Sequence, residues 1–167
     1  MNPKSTNWSK YTEFNEGATW FPQEILDKYA RGKILDAGCG IGKHLGTIKN
    51  FNEKYGIDPS ELAIAKAKKS FPDCNFIVGS AYKLPYEDNF FDLIYSIDTI
   101  EHLEYPLKML AEAKRVLKMG GILIIQTPNY PIKRAYDLIN WLNPKKGWRK
   151  TWRDDPTHFS KFSCFKL

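Results

Sequence analysis

The chain has 167 residues, with 25 Lys+Arg against 19 Asp+Glu for a formal net charge of +6, and is 43% hydrophobic and 14% aromatic, which suits one globular domain. Residues 1–130 carry sixteen basic and sixteen acidic side chains, whereas residues 131–167 carry nine and three. A neutral body with a basic C-terminal stretch excludes a histone-like, uniformly nucleic-acid-coating surface and leaves one local region suited to an anionic partner. Cys39, Cys74 and Cys164 are odd in number and include no CxxC pair. Neither a disulfide framework nor a cysteine zinc site is therefore supported, and a reducing, cytoplasmic setting is expected. Apolar runs such as Ile122 to Ile125 are far shorter than the ~18 residues of a membrane-spanning helix. The opening MNPKSTNWSKY lacks the apolar core of a secretory signal.

In chain order, an aromatic N-terminal segment with Trp8, Tyr11, Phe14, Trp20 and Phe21 leads to a predicted helix at 22–30. Strands are predicted at 33–37, 53–57, 75–78, 91–97 and 121–127, and further helices at 42–50, 60–70 and 106–118. Short apolar runs alternating with amphipathic stretches are the pattern of βαβ units, so the fold expected is α/β with a doubly wound, parallel sheet. In the last of these helices Leu107, Leu110, Ala111 and Leu117 fall near one face, and Gly120-Gly121 is read as its stop. Beyond Pro131, the residues Ile132, Ala135, Tyr136, Ile139 and Leu142 recur at helical spacing. The rest is a basic, tryptophan-rich stretch without a clear period.

The most informative stretch is ILDAGCGIGKH at 34–44. A strand runs into Gly38, Gly40 and Gly42 and a helix follows at once, an arrangement that lets backbone approach a ligand and leaves the helix N-terminus open. Asp58 follows the second strand about twenty residues later, where a carboxylate accepts hydrogen bonds from ribose hydroxyls. The competing structural role for the segment Asp58-Pro59-Ser60 is to cap the next helix. A dinucleotide fingerprint needs a third glycine where Lys43 stands. Asp36, two residues before the first glycine, disfavours a pyrophosphate and suits a ligand with an ammonium group and one carboxylate, such as S-adenosylmethionine.

With LDAGCGIG at 35–42, YGIDPS at 55–60, GSAYKLPYEDNFFDLIYS at 79–96 and RVLKMGGILIIQTPN at 115–129, the chain resembles the class I S-adenosylmethionine-dependent methyltransferases, including the ubiquinone-pathway O-methyltransferases. The resemblance spans about residues 30–130 and implies a Rossmann-like sheet of order 3-2-1-4-5. It implies that Asp36, Gly38, Gly40 and Gly42, with Cys39 among them, hold the methionine part of the cofactor. Asp58 and the adjacent Pro59 would hold the ribose, and Ser80 and Ala81 the adenine, with Ser96 and Ile97 ending the fourth strand at the site. Members commonly carry Asp where Ser80 stands, so a weaker adenine contact is expected. The family also implies an N-terminal flap over the cofactor, within 1–30, and a hairpin after the fifth strand that is not evident here. A truncated chain is thus expected, with 131–167 as a basic lid.

Parallel sheets place ligands at the carboxyl ends of their strands, so SIDTIEHL at 96–103 is expected to line the acceptor side. His102 is the leading candidate for a general base, with Glu101 and Asp98 as alternatives. The i, i+3, i+4 spacing of Asp98, Glu101 and His102 would place them on one face of a helical turn. With His158 they would make a plausible octahedral set for a divalent ion, as in the metal-dependent branch of the family; positioning roles without metal are the alternative. In the C-terminal stretch Trp141, Trp148 and Trp152 interleave with Lys145, Lys146, Arg149, Lys150 and Arg153. That pattern suits a small anionic or lipid-like acceptor, RNA, or plain surface packing. The function expected is methyl transfer to oxygen or nitrogen of a small or lipid-like acceptor. An RNA-directed methyltransferase or an inactive S-adenosylmethionine-binding module is the alternative.

Overall fold

The computed structural model describes residues 21–49 and 53–128. Five strands, β1 (Lys33–Ala37), β2 (Glu53–Asp58), β3 (Asn75–Val78), β4 (Phe91–Ile97) and β5 (Leu117–Gln126), form one sheet of order β3-β2-β1-β4-β5. Every neighbouring pair is parallel, as expected from the runs of apolar residues: β1 and β4 are buried along almost their whole length, the mark of strands covered on both faces. Among the described residues four α-helices accompany them: α1 (Gln23–Tyr29), α2 (Lys43–Thr47), α3 (Glu61–Ser70) and α4 (Pro106–Val116).

Side-chain alternation divides the core in two. On one face Ile34, Leu93 and Tyr95 pack with Leu26 of α1, Leu45 of α2 and Ile64 and Ala67 of α3. On the other, Leu35, Ile57 and Ile94 pack with Met109, Ala113 and Val116 of α4. α1 is fastened to α2 by Gln23, whose amide donates to the His44 carbonyl at 3.3 Å while the His44 ring meets its oxygen at 3.4 Å. The chain winds outward from β1 to β3 and then returns to place β4 on the other side of β1. The carboxyl ends of β1 and β4 therefore diverge into the crevice where open α/β sheets hold ligands.

The largest departures from the sequence expectation fall after β1 and between the last helix and the last strand. Helix α2 is five residues long rather than nine. Helix α4 stops at Val116 and β5 starts at Leu117, ahead of the glycine pair. Phe91 pairs with Leu117 and Leu93 with Ile122, so Gly120-Gly121 is taken up in a strand irregularity in which Gly120 has φ of 74°. The glycines thus bend a strand instead of ending a helix. The Lys118 ammonium reaches back to both carboxylate oxygens of Asp92 at 2.9 and 2.8 Å.

The β3–β4 connection, residues 79–90, contains no helix and is held by α4. The Arg115 guanidinium donates to the carbonyls of Leu84 and Tyr86 at 2.9 and 2.8 Å and to Asp88 and Glu112. Glu112 in turn accepts the Leu84 N–H at 2.8 Å. These bonds satisfy the backbone groups of Leu84 and the carbonyl of Tyr86 in the loop. Replacement of Arg115 by Ala is expected to cost about 2–3 kcal/mol in denaturant unfolding, since several charge-assisted bonds go at once. Its bonds to Arg115 hold the Glu112 carboxyl down to about 2. A depressed carboxylate stabilises the fold above its unfolded pKa, so this contribution fades as pH falls from ~4.5 towards 2, and the Arg115→Ala variant should lack that part of the acid dependence.

Candidate cofactor and acceptor site

The loop after β1 begins with Gly38 and Cys39, whose N–H groups both donate to the Ile57 carbonyl, at 2.8 and 3.1 Å. The chain then turns back, and the Gly40 N–H donates to Asp58 Oδ2 at 2.9 Å. The Ser60 N–H donates to the other oxygen, Oδ1, at 2.9 Å. The capping task falls to Ser60, whose hydroxyl accepts from the Ala63 N–H at 3.2 Å. Asp58 is therefore not the helix cap: it bridges the end of β2 to the glycine loop. Each of its oxygens retains lone-pair capacity for a further donor. Pro59 beside it is exposed.

The loop glycines differ in what surrounds them. Gly38, at φ of 90°, lies so close to Thr99 that a Cβ there would collide with its hydroxyl and methyl group. At Gly40, with φ of 51°, a Cβ would meet none of the described residues within 4 Å. Gly42 is buried against Phe76 and Ala67. Gly38 is required by the protein's own packing, whereas no described residue stands against Gly40, which suits the cradle a ligand needs. Gly38→Ala is accordingly expected to cost about 3 kcal/mol or more, through overpacking and a left-handed backbone. Gly40→Ala should cost about 1 kcal/mol, and thermal unfolding of the two variants checks the difference.

Asp36 is 3% exposed and lies opposite Tyr95 in the β1–β4 register. Burial pushes its carboxyl up to about 8; the Tyr95 hydroxyl pulls the other way and the charge of Asp58 adds to the rise. The Cys39 thiol is pushed up by burial and by the Asp36 and Asp58 charges, which leaves it a poor nucleophile. Ser96 is fully buried and donates to the Ala37 carbonyl at 2.8 Å, tying β4 to β1 beside the loop; Ile97, 9% exposed, ends the strand. Ser80 is exposed and its hydroxyl accepts the Tyr82 N–H at 3.2 Å, with Ala81 half-buried between them.

After β4 the geometry differs from the expected helical turn. Asp98 has a left-handed backbone, φ of 45°, a strained state for a residue other than glycine. Only Ile100–His102 form a short 3-10 helix. Glu101 turns inward and is 1% exposed, while His102 is half-buried, so the three do not line up on one helical face. Among the described residues no three His, Cys, Asp or Glu side chains are grouped to hold a metal ion. His158 lies outside the described residues, as do Tyr11, the N-terminal aromatic segment to Trp20 and the basic stretch 131–167. Glu101 accepts a bond from the Thr127 hydroxyl at 3.1 Å. Burial lifts its carboxyl to about 7; a bond from its own backbone N–H opposes the rise, Asp98 adds to it and Thr127 opposes it. Thr99, which packs on Gly38 and donates to the Ile97 carbonyl at 3.1 Å, and Thr127 were not singled out from sequence. Both follow the carboxyl end of a strand, the one signal that marks them.

A parallel sheet with its switch point between β1 and β4, a glycine loop with an open cradle, and an acidic residue at the end of β2 define a Rossmann-like cofactor-binding fold of the methyltransferase class. Residues 35–125 match the family described as methyltransferase domain, and the chain belongs to that family, whose methyl donor is S-adenosylmethionine. It is 38% identical over 121 residues to 2-methyl-6-phytyl-1,4-hydroquinone methyltransferase of Spinacia oleracea, covering 68% of this chain and 35% of that protein. It is 37% identical over 103 residues to norajmaline N-methyltransferase of Rauvolfia serpentina, covering 55% and 34%. Among solved structures, a TehB-like SAM-dependent methyltransferase of Corynebacterium glutamicum superposes with a TM-score of 0.58 at 28% identity, covering 71% of this chain and 70% of that one. The matches span less than half the length of the curated relatives.

The described residues fit S-adenosylmethionine. No described residue blocks the approach of a ligand to the backbone at Gly40. Asp58 faces the same loop with acceptor capacity to spare, and the buried Asp36 carboxyl behind it is a group that a cationic ligand would ionise.

Proposed function

We propose that this chain is the cofactor-binding and methyl-transferring part of an enzyme that methylates nitrogen or oxygen of a small or lipid-like acceptor. The observation that carries the reading is the bridge from Asp58 to the Gly40 N–H, which joins a ribose-type acceptor to an open glycine cradle. S-adenosylmethionine bound there supplies an electrophilic methyl group. The protein's task is to align the acceptor in line with it and to exclude water. Asp36, Gly40 and the loop around Cys39 take the methionine portion, Asp58 and Pro59 the ribose, and Ser80-Ala81 the adenine edge. On the acceptor side, Glu101 and His102 are the groups available to receive a proton, and Asp98 shapes the turn that carries them. Two relatives whose names specify a hydroquinone and an N-methylation support a small-molecule acceptor.

Calorimetric titration with S-adenosylmethionine tests the cofactor assignment, and transfer of tritiated methyl groups to small-molecule, lipid and RNA fractions tests the acceptor. Label in the small-molecule or lipid fraction is the expected result. Label confined to RNA would replace the acceptor class, and cofactor binding without transfer to any fraction would leave only the binding module.

A further inference from the structure

The turn that follows β4 is shaped by the end of β5. The Asp98 N–H donates to the Gln126 carbonyl at 3.0 Å, and the next side chain, Thr127, donates from its hydroxyl to Glu101 Oε2 at 3.1 Å. Two consecutive residues of one segment therefore fasten both ends of the Asp98–Glu101 turn. The remaining Glu101 oxygen, Oε1, is buried and has no hydrogen-bond partner among the described residues, on a residue only 1% exposed. A buried carboxyl oxygen left unpaired is costly, and such atoms in native folds call for a ligand or another donor. A threonine is suited to this work: its branched Cβ restricts χ1, so the hydroxyl donates from a narrow range of directions. Asp98 is the charged neighbour that acts on Glu101.

We propose that Thr127 is a positioning residue, which occupies one oxygen of Glu101 so that the other, Oε1, is kept for an N–H or O–H donor of the bound ligand. The inference rests on the methyltransferase reading for the ligand alone; the Thr127–Glu101 pairing stands on the geometry. Two sources carry the required chemistry, the ammonium group of the cofactor and the nucleophilic O–H or N–H of the acceptor.

The test begins on the full chain without cofactor, by carbon-13 NMR titration of side-chain carboxyls, with Glu101→Gln used to assign the resonance. Thr127→Val removes the donor and keeps the shape, so the Glu101 midpoint should rise by about half a unit to one unit, and Thr127→Ser should return it. An unchanged midpoint in Thr127→Val overturns the positioning role, and thermal unfolding of the same variants shows whether a shift reflects a damaged fold. The second arm compares Glu101→Gln with the natural chain. A loss of S-adenosylmethionine affinity of about tenfold or more places the donor on the cofactor. Lost transfer with affinity kept within about twofold places it on the acceptor. No change in either removes the ligand role. Failure of the natural chain to bind S-adenosylmethionine would instead refute the methyltransferase reading, leaving the Thr127 titration to be judged by itself.

Discussion

Replacing Asp58 by Asn is expected to weaken S-adenosylmethionine binding by about a hundredfold, because it removes charge-assisted bonds worth about 1.5–3 kcal/mol each. The carboxylate has two duties. Inside the protein it receives the N–H groups of Gly40 and Ser60, one on each oxygen; in the proposed function the lone pairs those bonds leave over are the ones offered to the ligand. An amide can accept on its oxygen alone, and its NH2 group would face an N–H donor, so Asn fails both at the loop and at the ribose. Burial raises the Asp58 carboxyl, and its backbone bonds to Ser60 and Gly40 lower it again. Ser60→Ala is the control. It removes the helix cap, costs about 1 kcal/mol of stability, and leaves both Asp58 oxygens in place. Calorimetry should show nearly natural affinity for Ser60→Ala and a large loss for Asp58→Asn. Loss of affinity below threefold in Asp58→Asn would remove Asp58 from the ribose site.

The contrast between Asp58 and Asp98 shows what the sequence made legible. Strand periods placed β1, β3 and β4 at their observed limits, because apolar runs and glycine turns act locally, whereas the order of the sheet came from the resemblance to the methyltransferase family. Asp58 was readable locally too: it is the last residue of β2, one place past the strand end expected from sequence, and its position beside the glycine loop follows from that local strand. The conformation at Asp98 was not, since its spacing to Glu101 and His102 is compatible with a helical turn. What decides against that turn is a bond from a strand 28 residues later, the Gln126 carbonyl. The glycine pair at 120–121 misled in the same way. Gly-Gly stops a helix or bends a strand equally well, and only pairing of Leu117 with Phe91 selects the strand. Of the loop glycines, the sequence could not show that Gly38 is spoken for by Thr99 while Gly40 is open, because that distinction depends on a residue about sixty positions away.

Stability of the unliganded protein should contain a component that falls with rising pH, traceable to Asp36. Its carboxyl is about 8 in the folded chain against 3.8 in the reference state, so between those values the folded form holds a proton that the unfolded form has lost. With one more proton bound in the native state, stability decreases by about 1.4 kcal/mol per pH unit for this group alone. From pH 5 to 8 the difference in unfolding free energy between the natural chain and Asp36→Asn should therefore shift by about 3–4 kcal/mol in favour of the variant. Chemical denaturation at both pH values measures it, and a difference independent of pH would show that Asp36 ionises freely. The same burial has a consequence for binding. A cationic ligand beside Asp36 favours the ionised carboxylate, so its binding at neutral pH must expel the proton. S-adenosylmethionine affinity is then expected to rise as pH approaches 8 and to level off above it. Calorimetry in buffers of different ionisation heat should register close to one proton released per cofactor bound at pH 7 and none in Asp36→Asn. Asp36→Asn should at the same time bind more weakly at pH 8, having no charge to offer. The sequence places a carboxylate two residues before the glycine loop, and its burial makes that carboxylate costly to the empty fold and available to a cation.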